Sequence, residues 1–327
     1  MLVMSSDFSR GLRLLTNVYG CVSFRDKVLI IVDDSTKEIG EALAIQVQQI
    51  TNSVILIKSC AVVGHGVEPE DEVASLMAES TVIFGMTTYS MAHTKARAIA
   101  SKNGARYLSL PDYNISQVES PALEVEVEKI AEIAEHLKLI LNAGKVVRVA
   151  TANGTNVTMG IDGRVANACP GFCDKPGMLG SPPDMETNIA PLEYMSEGII
   201  VVDGSIPYRG LGLIEKAIKI FIEKGMIFAV DSSTRQGQIV DNVFVRNENP
   251  RVRVLAEFGI GLNPSASLCG RMLEDEGCAG TVHFGFGSNG TIGGNNFVNF
   301  HVDFVVRQAS IWVDDVLIMK NGGLIGL

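Results

Sequence analysis

Between Lys27 and about Val149 the apolar positions fall into short β-branched runs separated by stretches in which apolar residues recur at helical spacing. KVLIIVDD, SVILIKS, TVIFGMT and ARYLSL are the strand-like runs; EIGEALAIQVQQI, Glu70 to Ala78 and Ala92 to Lys102 are the helix-like ones. Such alternation predicts a parallel sheet covered by helices. PALEVEVEKIAEIAEHLKLILNAG has Pro121 near its start and Gly144 after its last periodic residue, the signals that open and stop a long helix. We therefore expect an α/β domain over residues 1–145.

Beyond Gly144 the pattern turns to period two. VVRVATANGTNVTMGIDGR reads as a hairpin, and GIIVVDGSI, MIFAVDSS, VRVLAEFGIG, GTVHFGFGS and NFHVDFVVR read as further strands. Only Leu211 to Lys224 has a helical look there. Ten glycines between Gly259 and Gly294 call for tight turns and close backbone approach. The fold class expected is α/β: an N-terminal parallel-sheet α/β domain, then a β-rich α+β metal-binding domain over residues 146–327.

The charge balance narrows the partners. The chain has 327 residues, 27 Lys plus Arg and 37 Asp plus Glu, a net charge of −10. That sign repels phosphate backbones and anionic membranes, and no basic cluster with interleaved aromatics opposes it, so neither nucleic acid nor membrane is an expected partner. No apolar run approaches the roughly 18 residues of a membrane-spanning helix. Leu14 to Phe24 follows Arg10 and Arg13 in the manner of a signal peptide but holds Thr16, Asn17 and Gly20, and reads as mature sequence. Six cysteines in so long a chain read as reduced thiols, and with no export signal we expect a cytoplasmic enzyme. Cys169 and Cys173 form a C-x3-C pair with no second pair at zinc-ribbon spacing, so we read them as structural.

Several common chemistries are missing. The first strand ends in Asp33-Asp34-Ser35-Thr36 where a dinucleotide fold needs G-x-G-x-x-G, and there is no P-loop, G-x-S-x-G elbow or H-E-x-x-H. What remains is a recurrence of ligand-type side chains. In NFHVDFVV, Asn299, His301, Asp303 and Val305 share one face while Phe300, Val302 and Phe304 share the other. An imidazole and a carboxylate thus stand roughly 7 Å apart along one strand, within reach of one ion. In TVHFGFG, His283 shares its face with Gly285 and Gly287; in RVRVLAEFGIG, Glu257 opposes Val254, Ala256, Phe258 and Ile260. If these strands pair, Glu257, His283, His301 and Asp303 converge, a set of N and O donors suited to Zn, Co, Mn or Fe. Glu186, in SPPDMETNIAP, is a fifth candidate. Glu274, Asp275 and Glu276 read as a solvated turn with one possible partner for the His283 ring. His93 follows the TVIFGMT strand, where open α/β sheets contact ligands, and is a candidate for a substrate or proton-transfer role.

The series P-D-M-E-T-N-I-A-P around Glu186, A-E-F-G-I-G around Glu257, T-V-H-F-G-F-G around His283, G-G-N-N, and H-V-D at His301 and Asp303 resembles the thermophilic metallo-aminopeptidases of the aminopeptidase T and S type. The resemblance spans the C-terminal half in order. It implies two divalent ions held by Glu186, Glu257, His283, His301 and Asp303, a homodimer, and an α/β domain ahead of a β-rich catalytic one. The family's active-site tyrosine shortly after the histidine at His283 is replaced here by FGFGSNGTIGG. The same superfamily includes enzymes similar to 2,5-dihydroxypyridine dioxygenase, with one Fe(II) on two histidines and one carboxylate; HTKAR at His93 looks more like that branch, and His283, His301 and Asp303 match such a triad. The carboxylate surplus puts a metal-dependent hydrolase of peptide or small amide bonds first, with Glu186 taking the proton of a metal-activated water, and the Fe(II) ring-cleaving dioxygenase second.

Overall fold

A computed structural model describes residues 5–326, which form two compact units. The first runs up to Val127 and takes in Gly171–Pro183; the second comprises Glu128–Pro170 and Asp184–Leu327. The long helix Val127–Ala143 thus lies almost wholly in the second unit. Among the described residues no helix is long and apolar enough to cross a membrane.

The first unit is built on a five-stranded parallel sheet in the order Val54–Lys58, Val28–Val32, Val82–Met86, Arg106–Ser109, Leu179–Gly180. The strands VLIIV and VIFGM are buried at all five positions, as central parallel strands covered on both faces must be, whereas the edge strand VILIK is half-exposed. Leu29, Ile31 and Ile83 pack with Val73 and Met77 of the helix Asp71–Glu79 and with Ala96 and Ala100 of the helix Lys95–Lys102. Gly85 is required by close approach: a Cβ there would lie 2.0 Å from the hydroxyl of buried Tyr107. The Leu14 to Phe24 stretch is part of this unit, where Leu15 and Tyr19 are fully buried.

The second unit holds two sheets. Eight strands are ordered from Met226–Val230 at one edge through the expected hairpin Val146–Ala150/Asn156–Gly160 to Gly323–Leu324. The helix expected over Leu211 to Lys224 does not form: Gly212–Leu213 and Ile218–Glu223 are strands. IKIFIE satisfies period two, and burying Ile218, Ile220 and Ile222 against the strand Ser196–Val202 outweighs the helical spacing of the wider stretch. The helices of this region are instead Arg235–Val245, capped by the Thr234 hydroxyl accepting from the Gly237 N–H, and Met272–Gly277. Seven strands make the other sheet, and its middle carries the candidate site.

Candidate metal centre

Four neighbouring antiparallel strands, Glu186–Ile189, Leu255–Gly261, Thr281–Gly287 and His301–Arg307, build the centre. Their register pairs Gly261 with Glu186, Gly259 with both Asn188 and His283, Gly285 with both Glu257 and Asp303, and Gly287 with His301. Directly paired residues share a face, so all five ligand candidates stand on one face of the sheet. The other face is aromatic: Phe258 lies 5.8 Å from Phe284, and Phe286 lies 5.0 Å from Phe304, ring centre to ring centre, with Phe244 of the helix Arg235–Val245 against both Phe286 and Phe304. Glycines alternate with the ligand candidates because the site has no room for more. A Cβ at Gly259 would fall 2.1 Å from the His283 ring, and one at Gly285 would fall 2.8 Å from the side chains of Asp303, Glu257 and His301.

The donor atoms form two groups that share Glu257: Glu186, Glu257 and His283, and Glu257, His301 and Asp303. His283 Nε2 is 3.0 Å from Glu186 Oε2 and 3.9 Å from Glu257 Oε1; His301 Nε2 is 3.3 Å from both Glu257 Oε2 and Asp303 Oδ1. Each group has one imidazole and two carboxylates. Asn188 Nδ2 donates to Glu186 Oε1 at 2.7 Å and Asn167 Nδ2 to Asn188 Oδ1 at 2.9 Å, which fixes the carboxylate's orientation. His301 Nδ1 donates to the Ser288 carbonyl at 2.9 Å, leaving Nε2 to the carboxylates. His283, Glu186, Glu257 and Asp303 are buried, while the His301 side chain keeps 34% of its surface and forms the solvent-facing rim.

This arrangement fits a divalent cation. Burial alone would push the imidazoles towards neutrality, but Glu186, Glu257 and Asp303 hold His283 protonated well above its usual range, and Asp303 and Glu257 do the same to His301. Burial likewise opposes ionisation of Glu257, yet the two imidazoles hold its carboxyl far below the usual range. The protein therefore gathers more negative charge than its own cations cover, and bound protons are what a metal displaces. Glu186 Oε2 is buried beside His283 Nε2, 3.0 Å away but without an aligned hydrogen bond, so the oxygen keeps a lone pair for a cation.

The family model for 2,5-dihydroxypyridine 5,6-dioxygenase matches residues 27–326. The chain belongs to the 2,5-dihydroxypyridine 5,6-dioxygenase family. The enzyme of that name from Pseudomonas putida is 27% identical over 165 residues, so the matched stretch spans about half of either chain, 47% of each. The solved 2,5-dihydroxypyridine dioxygenase from Pseudomonas putida KT2440 superposes with a TM-score of 0.82 at 18% identity, covering 99% of both chains. Wild-type AmpT from Thermus thermophilus superposes with a TM-score of 0.68 at 14% identity, covering 98% of this chain and 99% of that one. These two likenesses establish the shared fold. The expected placing within the aminopeptidase branch gives way to the dioxygenase family.

Within this dioxygenase-family fold, His93 is exposed and belongs to the first unit, two residues ahead of the helix Lys95–Lys102. The acidic turn is built in, not solvated. Asp275 is fully buried and accepts from the N–H groups of Cys269 and Gly270, and Glu274 accepts from the Ser267 N–H. Glu276 is the one whose field meets the centre: burial and Asp303 push its carboxyl well above the usual range, with His283 opposing. Cys169 and Cys173 fall in different units and neither joins a metal-type group among the described residues. Asp184 is the acid the sequence reading passed over. It is buried, and burial together with Glu186 raises its carboxyl well above the usual range. The D-M-E spacing, which sets Asp184 two residues before Glu186, was the available signal.

Proposed function

We propose that this chain is a metal-dependent ring-cleaving dioxygenase acting on a dihydroxylated N-heteroaromatic of the dihydroxypyridine type, with Fe(II) as its metal. The observation that carries the reading is the family match across residues 27–326, joined to a centre whose donor set suits a divalent ion. Fe(II), when bound, supplies the activation of dioxygen and of the electron-rich ring. Glu257, His301 and Asp303 would hold it at the rim, where the exposed edge of His301 leaves a solvent-facing approach for a planar substrate. Glu186 and His283 would hold the buried side of the same centre, with Asn188 keeping Glu186 turned inwards. His93 stays a proposed substrate or proton-transfer residue, because it follows a parallel strand where such folds take ligands.

One observation favours a second reading, an amide hydrolase with two divalent ions. The donors divide into two groups bridged by Glu257, each with one imidazole, whereas a single Fe(II) triad unites two imidazoles with one carboxylate. Reconstitution separates the two. With Fe(II) loaded anaerobically and air then admitted, oxygen uptake stoichiometric with loss of a dihydroxypyridine is expected, and no cleavage of leucyl amides with Zn, Co or Mn. Amide cleavage that proceeds without oxygen, together with no oxygen uptake on any dihydroxypyridine, would overturn the first reading in favour of the second.

A further inference from the structure

The G-G-N-N segment at 293–296 lies in the loop 288–300, between the strand that carries His283 and the strand that opens with His301. Asn289 and Asn296 close this loop on itself. Asn289 N donates to the Asn296 carbonyl at 3.0 Å, and Asn296 N donates to Asn289 Oδ1 at 2.8 Å. Asn296 Nδ2 then donates to two carbonyls, Gly287 at 2.6 Å and Arg251 at 2.8 Å. Asn289 Nδ2 and the Asn295 N–H both donate to Glu193 Oε1, at 2.9 and 2.7 Å. The other oxygen of Glu193 pairs with Arg164, whose Nη1 donates to the Gly293 carbonyl at 2.7 Å. Asn289 and Asn296 are buried, as is Arg164, and both asparagine side chains donate and accept within the protein, while Arg164 Nε has no partner.

The network ends one residue from the carbonyl that holds a ligand candidate. Gly287, held by Asn296, precedes Ser288, and the Ser288 carbonyl is the acceptor for His301 Nδ1. Ser288 itself sits between the clasped Gly287 and Asn289, and its N–H donates to Phe300 O at 2.8 Å, on the residue before His301. A carbonyl at Nδ1 dictates which nitrogen of a metal-bound imidazole carries the proton and where the ring points. His301 is the ligand candidate in most need of it, being the one that solvent reaches.

We infer that Asn296, with Asn289 and Glu193, is a positioning residue: it fixes the Ser288 carbonyl, and through it the ring of His301, so that Nε2 is presented to a metal beside Glu257 and Asp303. The inference concerns the holding of the ion and stands whichever reaction the ion serves. Its test uses the full-length protein and Zn2+ alone. In the Zn2+-loaded wild type, nitrogen-15 spectra of the imidazoles are expected to show a His301 Nδ1–H proton protected from exchange; its absence overturns the inference. Asn296→Ala is expected to lose that protected proton and to weaken Zn2+ binding about 10- to 100-fold, the usual effect of removing a partner behind a metal ligand. Should Asn296→Ala not fold, Asn289→Ser is read in the same way. Phe297→Ala, at an exposed position of the same loop, is expected to bind Zn2+ as the wild type does. A folded clasp variant with Zn2+ affinity within twofold of wild type and an unchanged Nδ1–H signal overturns the inference, as does a Phe297→Ala variant that weakens binding equally.

Discussion

Two pairs of strands in this molecule are buried to the same degree and mean opposite things. Val28–Val32 and Val82–Met86 in the first unit are buried at every position, and so are Leu255–Gly261 and Thr281–Gly287 in the second. In the first pair hydrocarbon fills both faces, and the cost of ordering the chain is offset by apolar area removed from water. In the second pair one face is aromatic and the other holds Glu257, His283 and glycines. Buried charge is unfavourable unless it is paired, and here the carboxylates outnumber the cations that face them. The place where burial and hydrocarbon part company is therefore the place where a ligand is expected.

A matched pair of glycine substitutions would break this comparison most directly, because Gly85 and Gly259 meet their neighbours with almost the same geometry. A Cβ at Gly85 would lie 2.0 Å from the Tyr107 hydroxyl, and one at Gly259 would lie 2.1 Å from His283 Nε2. Gly259→Ala is expected to displace the imidazole and weaken divalent-metal binding at least about 100-fold, at the upper end of what disturbed ligand positioning does. Gly85→Ala is expected to lower stability by about 1–3 kcal/mol through overpacking and to leave metal affinity within twofold. Calorimetric titration with Zn2+ and thermal unfolding measure both quantities on both variants. Equal effects of the two substitutions on metal binding would show that the glycines do not distinguish a packed sheet from a site.

The two histidines sharpen the same contrast inside the centre. His283 is buried against Glu186, and removing one member of a buried pair costs about 3–5 kcal/mol, so His283→Ala is expected to unfold well below the wild-type temperature. His301 keeps a third of its surface in water, and His301→Ala is expected to cost the metal-free protein less stability than His283→Ala does while abolishing metal-dependent turnover. A large loss of stability on His301→Ala, with metal binding intact, would make it a structural residue.

Much of this could be read from the chain. The period-two alternation in NFHVDFVV sets His301 and Asp303 on one face, that in TVHFGFG sets His283 opposite an apolar stripe, and the alternating runs of the first 110 residues predict the parallel sheet; that the two strands pair comes from the structure. Three things were beyond the sequence. IKIFIE carries apolar residues at both helical and strand spacing, and only its partner strand decides between them. The division of the donors into two groups around Glu257 depends on register, which is set by strands distant in sequence. The anchor of His301 is a backbone carbonyl at Ser288, and a carbonyl leaves no mark on residue identity.

The smallest expected effect contrasts a carboxylate that needs no ion with those that do. Glu70 stands at the start of the helix Asp71–Glu79 and accepts hydrogen bonds from the Ser59 hydroxyl at 2.6 Å and from the N–H groups of Cys60 and Ala61 at 2.7 and 2.9 Å. Its slight burial opposes ionisation, but these donors prevail and hold its pKa at about 2, below the ordinary value of 4.5. A carboxyl whose pKa is lower folded than unfolded stabilises the fold fully above the unfolded value, and that contribution is lost as pH falls through about 4.5 towards 2. Because the group is only half-buried, the contribution is screened to about 1 kcal/mol. Glu70→Gln is thus expected to be less stable than wild type by about that amount at pH 7, and equal to it near pH 2, in urea unfolding followed across that range. Metal should leave this difference unchanged, since the three donors already supply to Glu70 what Glu186 and Glu257 are left to draw from a cation. A pH-independent difference would mean that Glu70 acts through packing alone, and the loop between Ser59 and Ala61 would then be held by something other than its charge.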